Sequence, residues 1–261
     1  MRQHTAILAS GALTAQLQGI NHPDNLTFGR GQMNLIQTTD ISPVKRFSAG
    51  LRMRQLRLEA RRVAADGIQV VEDDTTLAEI RKFRHDGYRH IYPTMDLVND
   101  PLDSSAVVLF TRDDCGSVNS TGRLSLDNGL PFPQEPYLSR YRTSDWTLME
   151  WGRFIIDDER TSVLKRYYQT LYRVATRLGG NAIVMSMQPR HIGFHQNLIG
   201  IRVLEYDTGE TYGGGVSLAC VVWELRHTKD NFFKWTGVTN CLLYTSPSPR
   251  DQRGSRMPSS A

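Results

Sequence analysis

Apolar residues recur along the chain with two periods, and the switch from one to the other predicts the order of elements. Ile68–Val71 is short and β-branched and predicts a strand. Asp73 and Asp74 precede Thr75 and Thr76 as a helix start, with Leu77, Ile80, Phe83, Arg84 and Tyr88 following at helical spacing. Ala106–Phe110 and Ser120–Leu126 read as a hairpin around a turn at Asp113–Asn119. Pro131, Pro133 and Pro136 mark a loop with short helices. Thr147–Asp157 predicts a strong strand and Ser162–Leu178 a long helix that stops at Gly179-Gly180. Ala182–Met187 predicts a buried strand, Arg190–Leu198 a short helix, and Ile201–Tyr206 a strand. After the glycine loop Gly213–Gly215, Val216–Leu225 is a final strand. This order predicts a mixed sheet with helices packed on it.

The ends of the chain behave differently. Residues 1 to about 45 carry scattered Gly, Asn and Pro without a sustained period, and the first residues resemble a signal peptide without a clean cleavage site. Between Phe47 and Ala65 the chain is arginine-rich, and Leu51, Leu56 and Leu58 make no single stripe, so this stretch reads as a solvated helix or arm. Residues 1–66 are therefore taken as an N-terminal extension and 67–240 as one domain. Residues 241–261 are taken as a non-native tail. There Cys241-Leu-Leu-Tyr-Thr-Ser-Pro-Ser-Pro-Arg-Asp251 resembles one reading frame of a transposase sequencing adapter, and the segment has prolines, serines and no apolar periodicity. On this reading the natural chain beyond Asn240 is missing.

Composition narrows the classes. At 261 residues and 39% hydrophobic, the chain has material for one sizeable core. The net charge is +4, but the tail's Arg250, Arg253 and Arg256 against Asp251 supply half of it, so a nucleic-acid partner is not expected. No apolar run approaches the ~20 residues of a membrane span. Three cysteines make no disulfide framework, and a reducing cytoplasm is the default.

Glu150-Trp-Gly-Arg153-Phe-Ile-Ile156 carries the chemistry: a carboxylate and a guanidinium inside an apolar strand. Strict alternation puts Glu150 and Arg153 on opposite faces, whereas a bulge at Gly152 would bring them to one side. A buried ion pair stitching the sheet is the bland alternative. On the long helix, Leu164, Tyr168, Leu171 and Ala175 form one stripe, opposite Arg166, Thr170, Arg173 and Arg177. That second face reads as a solvated surface or as a dock for an acidic partner. His191 and His195 stand four apart without a third ligand, so no metal is expected.

The Glu-x-x-Arg-Phe strand is similar to the motif of acyl-homoserine-lactone synthases and the related N-acyl amino acid synthases. Arg81, Arg84 and Tyr88 resemble the family's first helix, and Asp100-Pro-Leu-Asp103 its spaced acid pair. Gly122-Arg123-Leu124 with Gly129-Leu130-Pro131 resembles its second-strand region, and His191 through Phe194, His195 and Gly200-Ile201 a GNAT segment. The resemblance spans residues 67–225 and implies a GNAT-like α/β (α+β) fold whose mixed, mostly antiparallel central sheet is flanked by helices. It implies transfer of a fatty acyl group from an acyl carrier protein to an amino acid such as tyrosine. The donor is acyl-phosphopantetheine, with no permanently bound cofactor.

The implied catalytic residues are Glu150, to orient or deprotonate the amine, Arg153, to fix Glu150 or an acidic ligand group, and His195, to protonate the leaving thiolate. The implied substrate-binding residues are Arg84, Tyr88, Asp100, Asp103, Arg123, Trp151, Gly152 and Phe154, with Arg84, Asp100 and Asp103 forming the acceptor wall. Arg160, Lys165, Arg166, Arg173 and Arg177 are the implied carrier contacts. Asp157-Asp-Glu-Arg-Thr-Ser162 stands where a CoA-using enzyme has a glycine-rich pyrophosphate loop, and its acids favour a carrier-bound donor. Ile91-Tyr92-Pro93 replaces the tryptophan usual in lactone synthases, which favours an amino acid over S-adenosylmethionine. A non-catalytic ligand- or carrier-binding module is the remaining alternative.

Overall fold

One seven-stranded sheet, buried on both faces over its middle strands, organises the chain in the computed structural model. The structure describes residues 43–89, 100–127, 131–143, 145–157, 161–208 and 217–239. The chain runs α1 (Pro43–Val63), β1 (Gln69–Val70), α2 (Asp74–Tyr88), β2 (Val107–Arg112), β3 (Val118–Leu126) and β4 (Leu148–Ile156). It continues as α3 (Thr161–Arg177), β5 (Ala182–Met187), α4 (Ile192–Leu198), β6 (Arg202–Glu205), β7 (Ala219–Glu224) and α5 (Asp230–Thr236). The strand order is β1-β2-β3-β4-β5-β7-β6. Every neighbouring pair is antiparallel except β4 and β5, which are parallel and joined through α3. No helix of the described residues is long and apolar enough to cross a membrane.

Side-chain alternation sorts the central strands onto two faces. Met149, Trp151, Ile183, Met185, Val221 and Trp223 face α1, α3 and α5 and form the larger core. Leu148, Ala182, Val184, Cys220 and Val222 face the other way, under Phe132, Leu138 and Tyr141 of the proline-rich loop between β3 and β4. That loop contains the two short 3-10 turns Glu135–Tyr137 and Ser139–Tyr141. Farther along the same face, α2 packs Ile80 on Val108, Phe110 and Val118. Asp73 caps α2 by accepting from the Thr76 backbone N–H at 2.7 Å.

The arginine-rich stretch departs from its sequence reading. It is a helix, but not a solvated one: Leu56 and Ala60 are fully buried in the larger core, with Met53 and Val63 packed beside them. Those four positions, spaced three, four and three apart, are a regular apolar stripe. Leu51 and Leu58, which the sequence reading weighed instead, are 54% and 55% exposed. α1 lies along α3, so the structured unit includes residues before 67. The helix α5 has no counterpart in the sequence reading; its Phe232 is fully buried against Tyr172 and Trp223. Residues 1–42, the tail 241–261, Ile91–Pro93, Gly129-Leu130 and Gly213–Gly215 lie outside the described residues.

Candidate active site

The parallel ladder between β4 and β5 ends at Trp151 opposite Met185. β4 goes on to Ile156 along β3, while β5 goes on to Met187 along β7. The two strands part, and a cleft of about 1030 Å³ opens at their carboxyl ends. Ligand sites in open α/β sheets commonly occupy such a parting. The cleft is lined from both faces of the sheet. Glu150, Gly152, Arg123, Gln134 and Ser186 supply a polar side; Trp151, Tyr168, Met185, Met187 and Leu218 supply an apolar one.

β4 is distorted here, one residue beyond the position the sequence suggested. Arg123 pairs with Gly152 and Thr121 with Ile155, so Arg153 and Phe154 together oppose a single residue of β3. Arg153 takes φ 54°, the left-handed region, and no other non-glycine described residue has a positive φ. The bulge is held from α2, where Tyr88 donates its hydroxyl to the Phe154 carbonyl at 2.6 Å. Gly152 is needed for a different reason. A Cβ there would stand 2.1 Å from Oε1 of Glu150, whose carboxylate folds over the glycine.

Glu150 and Arg153 do not pair with each other as the motif suggested. Arg123 stands between them. Its Nη2 lies 3.3 and 3.4 Å from the two Glu150 oxygens, and its Nη1 donates to Asp100 at 2.7 Å. Arg153 Nε donates to the same Asp100 oxygen at 2.5 Å. Ser125 donates to Glu150 Oε2 at 3.2 Å. Behind them Arg84 clamps Asp103 at 2.8 and 3.1 Å, with Arg81 at 3.4 Å. Arg84, Arg123, Asp100, Asp103 and Glu150 are all buried, and the part-exposed Arg153 and Arg81 bring further cations to the two aspartates. Burial pushes the Asp100 carboxyl up, but the guanidiniums of Arg123 and Arg153 outweigh it and hold it below the ordinary range.

On the apolar side, Trp151, Phe154 and Tyr167 stack with centroids 5.0–5.5 Å apart. His195 lines the cleft beside Tyr168, 5.8 Å between centroids. Its expected role as a ready proton donor does not fit its surroundings. Burial depresses its pKa, and Nδ1 is committed to the His191 carbonyl at 2.8 Å. A carbonyl only accepts, so Nδ1 carries the proton and Nε2 is left bare in a neutral ring. His191 is pushed down to about 4, by burial first and then by Arg190 and His195. Among the described residues no group of three or more His, Cys, Asp or Glu is placed to hold a metal ion.

The arginine face of α3 is not an open dock. The Ala65 N–H donates to Thr170 at 2.9 Å, Arg166 Nη1 to the Asp66 carbonyl at 3.0 Å, and Arg177 pairs with Glu59 at 2.7 Å. α1 and the turn after it cover that face, with Arg173 half-buried. Lys165 sits near the start of α3, at the cleft end; Arg160 lies outside the described residues. The sequence reading missed Gln134, Ser125 and Ser186. Ser125 and Ser186 follow by alternation once the register is known, whereas Gln134 arrives from a loop that carries no periodic signal.

Residues 79–212 match the family of the N-acyl amino acid synthase FeeM. The structure of FeeM, from uncultured soil microbes, superposes with a TM-score of 0.54 at 14% identity, over 62% of this chain and 93% of that one. The AHL synthase LasI gives 0.52 at 15% identity, over 64% and 94%. BjaI, a CoA-dependent acyl-homoserine lactone synthase solved with SAM and isopentyl-CoA, gives 0.51 at 13% identity, over 65% and 87%. At such identities the superpositions establish a shared fold, the GNAT-like acyltransferase fold. No curated protein matches the sequence.

Proposed function

Because the chain belongs to the N-acyl amino acid synthase FeeM family, acyltransferases acting on an amine, we propose that it moves a long fatty acyl group from an acyl carrier protein to an amino acid, tyrosine-like in its first choice. The observation that carries this reading is Glu150: 1% exposed, yet part of the wall of a cleft whose opposite side is apolar. A carboxylate buried there beside Arg123 and Ser125 is costly to place in a cleft wall unless it meets a polar ligand.

The amine nitrogen attacks the thioester carbonyl carbon, a C–N bond forms, and the C–S bond breaks. The proton lost by nitrogen ends on the pantetheine sulfur. Glu150 orients the amine and takes its proton. Holding amine and thioester in one cleft removes much of the entropic barrier. Past Trp151 the β5-side edge of β4 has left its ladder, which offers backbone N–H groups near the bulge to a developing oxyanion. Arg153, on that bulge and 20% exposed, supplies positive charge facing an acceptor carboxylate. Arg123, Asp100, Arg84 and Asp103 hold Glu150 and Arg153 in place, and Tyr88 holds the bulge. The apolar side, from Trp151 and Phe154 to Met187, takes the acyl chain. A neutral His195 suits the role of hydrogen-bond acceptor in that wall better than that of acid.

The sequence Asp157-Asp158-Glu159 supports a carrier-bound donor over CoA, since three acids repel a pyrophosphate. Lys165, near the start of α3, and Arg160, just before that helix in the sequence, are the basic residues assigned to an acidic carrier. The test is mass spectrometry of lipid extracts from bacteria expressing the full chain, wild type beside Glu150→Gln. N-acyl amino acids that are present with the wild type and fall by on the order of 10²-fold or more with the variant support the reading. Acyl lactones in their place identify S-adenosylmethionine as the acceptor. Folded wild-type protein that produces neither sinks it.

A further inference from the structure

The loop between β3 and β4 delivers one side chain to the cleft that the reading above does not use. Gln134 is 1% exposed and lines the cleft. Its Nε2 donates to Ser186 Oγ at 3.0 Å, while its Oε1 is buried without a hydrogen-bond partner among the described residues. An acceptor left dry costs its full desolvation, whereas an apolar side chain of the same size would cost nothing. The loop does not need this amide to keep its shape. Arg142 ties Glu135 to Asp127, Glu135 accepts from the Phe132 N–H at 3.2 Å, and the Tyr137 N–H donates to the Gln134 carbonyl at 2.9 Å. Gln134 is therefore held in position by its neighbours, with its oxygen unused.

The register places that oxygen relative to Glu150. Glu150 pairs with Val184, and Ser186 lies on the same face two residues on, about 6.6 Å farther along β5. Glu150 from β4 and Gln134, anchored over β5, thus flank the same polar side of the cleft. The terminal torsion of a glutamine amide is broad, so a small turn directs the oxygen at a ligand between them. Neither group, as a carboxylate and an amide carbonyl, can donate through these oxygens.

We infer that Gln134 determines specificity for the attacking nitrogen: with Glu150 it forms a pair of acceptors that takes both N–H hydrogens of a primary amine. A neutral primary amine has two hydrogens and one lone pair. With one hydrogen on Glu150 and the other on Gln134, the lone pair is left to face the strand gap and the thioester. An N-methyl amine puts a methyl group against one acceptor and leaves it dry. Sites built around such hydrogen bonds reject analogues that lack the group.

This inference rests on the acyl-transfer reading, and the experiment separates the two. The purified full chain is assayed with an acyl carrier protein donor, with an amino acid acceptor and with its N-methyl counterpart. The ratio of kcat/KM for the two acceptors is independent of how much protein is folded. Wild type is expected to favour the primary amine by on the order of 10-fold or more, and Gln134→Met to lose most of that preference while the donor KM stays unchanged. If Gln134→Met does not fold, Ser186→Ala removes the anchor of the amide and is expected to lower the same ratio. An unchanged ratio with both rates reduced equally makes Gln134 structural and overturns the inference alone. A raised donor KM at an unchanged ratio assigns the oxygen to an amide of the pantetheine arm and overturns it too. If wild type acylates no amine, both readings fall.

Discussion

Two buried glutamates on this sheet, Glu150 on β4 and Glu224 on β7, are 1% and 3% exposed and both meet cations. Their surroundings differ in one respect. Glu150 is paired with a fully buried arginine, which is shared with Asp100, and opens onto the cleft. Glu224 lies opposite Ala182, at the other end of β5, and takes the Tyr141 hydroxyl at 2.8 Å. Its partners Arg202, Arg226 and His227 are 47%, 61% and 54% exposed. Water can replace any of those three, so Glu224 is a clasp holding Tyr141, β6 and the turn after β7 to the sheet. Water cannot reach behind Glu150, so every charge there must be matched within the protein. Burial by itself does not mark a functional carboxylate; a buried counter-charge network ending at a cleft does.

The sharpest way to break this contrast is Asp100→Asn. It leaves Arg123 and Arg153 without their shared anion, and unfolding in urea should show a loss of about 3–5 kcal/mol. A loss below about 1 kcal/mol would mean that the cluster is looser than its geometry. Glu224→Gln keeps an acceptor for Tyr141 and gives up only solvent-exposed cations, so the same measurement should show about 1 kcal/mol, with acyl transfer retained. Loss of activity in this variant would erase the distinction between the two glutamates.

The smallest effect is in acid. The folded pKa of Glu224 lies below its ordinary 4.5: burial raises it, but Tyr141, Arg202, His227 and Arg226 together lower it further. A carboxyl depressed by folding stabilises above its unfolded pKa, and that contribution is lost as pH falls through the folded value. Asp100 acts in the same direction, below 3.8. Wild type should therefore lose stability as pH drops below about 4.5, and Glu224→Gln should lose less over the upper part of that range. Parallel urea titrations at each pH would show it. Equal slopes in the two proteins would remove Glu224 from the account.

Much of the fold was legible because its strands and long helix carry strong periods, and the Asp73 start of α2 is a cap that sequence states directly. One helix was misread, and one strand that was read correctly carries polar residues whose burial the sequence does not show. The stripe of α1 runs through Met53, Leu56, Ala60 and Val63, but Leu51 and Leu58 stand out more in the sequence while staying more than half exposed. β3 is Val-Asn-Ser-Thr-Gly-Arg-Leu-Ser-Leu and buried throughout, although half of it is polar. Its Arg123, Thr121 and Ser125 are inside because they serve Glu150, Arg84 and each other's strands. Opposite faces of α3 looked apolar and cationic; α1 and the turn after it lie along the cationic one, where Arg166 bonds Asp66 and Arg177, still 43% exposed, pairs with Glu59.

What the sequence by itself determined is the set of elements, their order, and the polar residues that chemistry would need, because periodicity and residue type are local properties. Only the tertiary structure decided who pairs with whom. Glu150 and Arg153 sit three apart on one strand, yet both are governed by residues 27 and 53 positions away in the chain, Arg123 and Asp100. The parting of β4 from β5, the neutral state of His195 and the arrival of Gln134 beside Ser186 likewise depend on contacts between distant segments. Electrostatics and hydrogen bonding act over a few ångströms of space, whatever the separation along the chain, and folding sets that space.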